Sequence, residues 1–60
     1  MKKFNDLKNA VLALEADAEK FYIKGNNAAG TRLRKGLLDI KQLAQAVRVE
    51  VLAIREEEKV

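Results

Sequence analysis

Apolar side chains recur along this chain at alternating intervals of three and four. Phe4, Leu7, Val11, Leu14, Ala18 and Phe21 follow spacings of 3, 4, 3, 4 and 3. Leu33, Leu37, Ile40, Ala44, Val47, Val51 and Ile54 follow 4, 3, 4, 3, 4 and 3. Each series is an unbroken heptad seam on one helix face. The first predicts a helix over about residues 3–24 and the second over about 28–57. Ala10, Ala13, Ala16 and Ala18 are strong helix formers. Asn5 or Asp6 is expected to cap the first start.

Between the seams stands Gly25-Asn26-Asn27. Gly25 suits the left-handed stop of a helix, and Lys24 places a cation in its last turn. Asn26 tolerates the same conformation, and Asn27 is expected to cap a second helix from Ala28. So short a connection turns the second helix back along the first. The predicted fold is all-α, an antiparallel two-helix hairpin in a single domain. Leu12, Tyr22, Ile23, Leu38, Leu43, Val49 and Leu52 lie off both seams. Left wet, they form the kind of patch that marks an interface. The hairpins are therefore expected to pair, most simply as a two-fold homodimer forming a four-helix bundle, with a higher assembly left open. The acids Glu56, Glu57 and Glu58 oppose the helix dipole, so the last turn is expected to fray, with Lys2 and Lys3 of the other helix end beside them.

Size supports assembly. Sixty residues bury only about 60% of their unfolded surface. The chain has no Cys and no His, which removes disulfides and the best metal ligands. No metal, cofactor or small-molecule substrate is expected. No apolar run approaches a membrane span, and no apolar stretch behind Lys2 and Lys3 makes a signal peptide, so a cytoplasmic location is expected.

The net charge of +3 is unevenly placed. Lys20, Lys24, Arg32, Arg34 and Lys35 fall in residues 20–35, and no acid lies between Glu19 and Asp39. The two flanks each sum to −1. A helix N-terminus offers open amides and a favourable dipole to an anion. Asn27 to Thr31 supply that start, Ala28, Ala29 and Gly30 are small enough for close approach, and Thr31 adds a hydroxyl. Lys20, Lys24, Asn27, Thr31, Arg32, Arg34 and Lys35 thus form a candidate phosphate site. The same cluster also suits a solvated basic cap. Arg34, Lys41, Arg48 and Arg55 recur every seven residues. They read either as a secondary basic stripe or, preferably for the last three, as cations paired with acids such as Glu15 on a neighbouring helix. Gly36 inside a helix suggests close packing. Tyr22 suits an interface. With no His, Cys or Ser, an enzyme has no support. Glu15 and Glu19 read as a solvated face rather than metal ligands.

Ala16-Asp17-Ala18-Glu19-Lys20, then Gly25 through Lys35, then Leu43-Ala44-Gln45 resemble the bacterial linker-histone-like (histone H1-like) family. These are small histone-like proteins known from chlamydiae and found in short form in Bacteroidetes-type bacteria. The resemblance spans about Lys3 to Val51, and its specific part is the Gly-Asn-x-Ala-Ala-x-x-Arg-x-Arg core, here Gly25 to Arg34. It implies nucleoid-associated DNA binding without strong sequence preference, and chromosome compaction. The chlamydial members carry a long Lys/Ala/Pro-rich tail, and this chain stops before it. The matched Arg32, Arg34 and Lys35 would then act with those of a partner subunit. The contrasting reading is a helical interaction or scaffold module with no nucleic-acid role.

Overall fold

The computed structural model describes residues 1–58. It is all-helical among those residues: α1 spans Lys2–Ala13, α2 Glu15–Tyr22 and α3 Asn27–Glu58. The α1–α2 arm and α3 are two helical limbs joined by a bend. The arm contacts α3 along its length, with Phe21 against Gly30, Leu14 against Gly36 and Lys3 against Glu50. The shape is a rod of 53 × 15 × 13 Å. Its radius of gyration is 15.2 Å, against about 10 Å for a compact chain of this length.

The first helix is not continuous as the seam predicts. It breaks at Leu14, whose φ of −88° and ψ of −7° sit at the edge of the right-handed helical region, toward the bridge region. The Leu14 amide bonds to the Val11 carbonyl at 3.1 Å, a tightened turn of 3₁₀ type. No Pro or Gly causes this. The break coincides with a close approach of the two limbs. A Cβ added at Gly36 would sit 2.7 Å from Leu14 Cδ1 and nearer still to Cδ2. Leu14 fills the space that glycine leaves, so close packing is the role of Gly36. The N-terminal start also differs: α1 begins at Lys2, with no side-chain cap from Asn5 or Asp6.

Both seams are shifted sideways from the predicted ones. Leu7, Ala10, Leu14, Asp17 and Ala18 are half-buried, as are Leu33, Gly36, Ile40, Leu43, Ala44 and Val47. Phe4, Val11 and Phe21 are exposed, and so are Val51, Ile54 and Leu37, the last at 50%. The columns 33/40/47 face inward as predicted. Their inner neighbours are 36/43 rather than 37/51. One side of the contact therefore carries polar pairs, Lys3–Glu50 at 3.9 Å and Asp17–Arg32 at 3.0 Å. The opposite side opens as an apolar groove of about 290 Å³, lined by Val11, Leu14, Ala18, Leu33, Leu37 and Ile40 among others.

Among the described residues only Ala29 and Gly30 are buried. Leu12, Tyr22, Val49 and Leu52 are exposed as the off-seam pattern expects, with Ile23 at 78% and Leu38 at 63%. Leu43 instead turns half inward. Lys2 pairs with Asp6 on its own helix at 3.8 Å, and Lys3 with Glu50. Neither is paired with Glu56 or Glu57. Helix α3 continues through Glu58, and Lys59 and Val60, the rest of the turn expected to fray, lie outside the described residues.

Candidate nucleic-acid interface

The bend is built by two helix ends that satisfy their own backbone groups. Gly25 takes φ +65°, and its amide bonds to the Phe21 carbonyl at 3.1 Å, the left-handed glycine stop. The Asn26 amide reaches back to the Lys20 carbonyl at 3.1 Å. Asn26, not Asn27, caps α3. Its Oδ1 accepts from the Ala29 amide at 3.0 Å, and its carbonyl accepts from the Gly30 amide at 3.1 Å. Asn27 is already the first helical residue.

This geometry closes most of the hollow expected for a phosphate. Ala29 and Gly30 are buried, and the Phe21 ring covers Gly30, with Cδ1 2.6 Å from where a Cβ would stand. Two of the first amides are taken by Asn26. Among the described residues the amides of Asn27 and Ala28 are left without a protein partner. The Thr31 hydroxyl donates to the Asn27 carbonyl at 3.3 Å while staying exposed.

The cations divide. Arg32 turns back onto the arm: its Nε donates to Asp17 Oδ1 at 3.1 Å, and Nη2 stands 3.0 Å from the same oxygen as an ion pair. Its side chain remains 52% exposed, which leaves the third nitrogen, Nη1, without a partner among the described residues. Arg34 and Lys35 point away from the arm. With Thr31, Leu37 and Leu38 they line an outward depression of about 440 Å³. Thr31, Arg34, Lys35 and Leu38 fall at i, i+3, i+4 and i+7, one face of α3. The structure thus brings Thr31, Arg34 and Lys35 together and draws Arg32 to the other flank. Lys20 and Lys24 are exposed near the bend. Neither they nor Arg34 and Lys35 form an ion pair among the described residues.

The basic stripe is also exposed. Lys41 and Arg48 were expected to pair with acids such as Glu15. Within the chain they do not: among the described residues neither has an ion pair, and Arg48 Nη1 donates to Gln45 Oε1 at 3.2 Å. Among the described residues no cluster of three His, Cys, Asp or Glu is placed to hold a metal. No described helix is long and apolar enough to cross a membrane.

Residues 1–57 match the family model described as Histone H1-like protein Hc1. The chain belongs to this family. No curated protein and no solved structure matches the chain. The histone H1-like family consists of DNA-binding structural proteins, which assigns the chain DNA as its class of partner and chromatin as its setting.

Within this histone-like chain, two features of the interface escape the sequence pattern. The sequence pattern gives Asp17 no role of its own, and only its position opposite Arg32 makes it a partner. Leu37 and Leu38 read as seam and interface residues, yet both border the basic depression. The spacing of 31, 34, 35 and 38 is a usable signal for that shared face.

Proposed function

We propose that the chain binds duplex DNA through its phosphates, without reading base edges, and compacts the chromosome by coating or joining DNA segments. It acts as an antiparallel hairpin whose copies pair through the apolar groove into a four-helix bundle with two basic bends. Phosphates are met by Arg34 and Lys35 beside Thr31, with Lys20, Lys24, the open Asn27 amide and Nη1 of Arg32 around them. The observation that carries this reading is the exposed, unpaired Arg34–Lys35 face in a stretch with no acid between Glu19 and Asp39. Contacts of this kind position a protein on the backbone and carry no sequence information.

Pairing of Arg32 with Asp17 leaves four unpaired cations per protomer at the bend. A dimer engaging all of them gives a slope of log K on log salt of roughly −7, from about 0.9 per phosphate contact. The test is retardation of random-sequence duplexes by the wild type and by R34Q/K35Q at several salt concentrations. The variant is expected to weaken all sequences alike, flatten the slope and keep its helicity. An unchanged slope rejects the site. A wild type that fails to retard DNA even at low salt favours the scaffold reading, in which the exposed apolar surface is itself the function.

A further inference from the structure

The four cations spaced by seven residues on α3 are not accounted for by ion pairs among the described residues. Arg34, Lys41, Arg48 and Arg55 are all exposed. They stand in the column next to Leu37, Ala44 and Val51, on the rim of the apolar groove. The column beyond them holds Leu38, Gln45 and Leu52. Between residues 34 and 55 the acids of α3 are Asp39 and Glu50. Both lie in columns on the other side of the helix, where Glu50 meets Lys3.

A second copy seated in the groove does not neutralise the row either. The corresponding rim of the arm is Lys8, Glu15 and Tyr22, one acid and one cation. Opposite such a rim, one acid faces four cations. The row stays positive whether the chain is alone or paired.

We infer that this row is a second nucleic-acid contact surface, a track along the flank of the rod against which a duplex lies lengthwise. The inference rests on the DNA-binding reading above and adds where the duplex runs. Seven helical residues advance about 10.5 Å, so Arg34 to Arg55 span about 31 Å. That is roughly nine base pairs at 3.4 Å each. Arg34 belongs to both surfaces and joins the track to the bend. Four long side chains at regular intervals reach phosphates at several points along the duplex, and none needs a base edge.

Two measurements test the track separately from the bend. The first is the salt slope for K41Q/R48Q on a 20-base-pair duplex, beside R34Q/K35Q and the charge-preserving K41R/R48K. The second compares 6-base-pair with 12-base-pair duplexes. Loss of two contacts is expected to reduce the slope by about 1.8 per protomer, with K41R/R48K unchanged. The wild type is expected to gain affinity from 6 to 12 base pairs, and K41Q/R48Q to lose most of that gain. Sedimentation is expected to show the same assembly for all forms. A K41Q/R48Q slope equal to the wild type overturns the track while R34Q/K35Q still reports on the bend. Dissociation of K41Q/R48Q into smaller species with an unchanged slope also overturns it, by showing that the row pairs with a second copy. Absence of any wild-type binding removes the underlying reading and the track with it.

Discussion

Arg32 Nε donates one hydrogen bond to Asp17 Oδ1, and Nη2 lies 3.0 Å from the same oxygen, so the guanidinium charge is already shared with an acid before a phosphate arrives. The pair is half open to water and contributes about 0.2–1 kcal/mol to folding. Its larger effect is on charge at the bend. Asp17→Asn is expected to tighten DNA binding and steepen the salt slope by about 0.9 per protomer, as Arg32 becomes a free contact. The gain should vanish in an R32Q background. A D17N slope equal to the wild type would show that Arg32 is already engaged or out of reach. Gly25 is the other residue whose chemistry decides the bend. Its φ of +65° leaves open space where a Cβ would go, so the cost of a side chain is conformational alone. Gly25→Ala is expected to cost about 1 kcal/mol, a fall in thermal midpoint of about 4–8 °C for a domain this size. Circular dichroism checks it; a midpoint within error of the wild type would mean that the turn relaxes. The glycine stop was legible because one residue type serves that conformation. The cap was misplaced by one position because Asn26 and Asn27 are the same residue type, and only backbone geometry tells which one precedes the helix.

Leu14 and Gly36 couple the two limbs. The turn at Leu14 lets its side chain settle over a backbone that carries no Cβ, and each residue explains the other. Gly36→Ala gains about 1 kcal/mol of helix propensity, which offsets part of the displacement of Leu14, so a larger group is the clearer probe. Gly36→Ile is expected to lower the thermal midpoint, and adding L14A to it should restore part of the loss. The double-mutant cycle should give a favourable coupling of about 0.5–3 kcal/mol. Additive effects would mean that the two side chains do not compete for one space. The periodicity revealed that two limbs zip, but not which columns zip. On α3 the column 37/44/51 is more apolar than 36/43/50, so hydrophobicity alone turns the former inward. Close approach instead selects the column containing a glycine. The break at Leu14 was hidden for a related reason: its sequence neighbours are good helix formers, and the cause lies across the interface.

A rod 53 Å long in which, among the described residues, only Ala29 and Gly30 are buried has little core of its own. The limbs half-cover one another and leave Phe4, Val11, Leu37 and Val51 open along one side of the contact. Burial returns roughly 25 cal/mol per Å² of apolar surface, and a chain this small has few other sources of stability once disulfides and metals are absent. Pairing copies through that side covers these residues together and keeps the row from Arg34 to Arg55 at the rim. If folding depends on it, stability includes a mass-action term in protein concentration. The thermal midpoint is therefore expected to rise as concentration is raised across two decades, with sedimentation moving from monomer toward dimer over the same range. Val11→Asp places a charge on the wall of the groove, away from the depression that Arg34 and Lys35 line. It is expected to abolish the concentration dependence, lower helicity at micromolar concentration and shift sedimentation to the monomer. DNA affinity should fall as well, because two bends no longer act on one duplex, yet the salt slope per protomer should persist. A wild type that sediments as a monomer with a midpoint independent of concentration would mean that the limbs suffice alone. The groove would then be open to a different occupant.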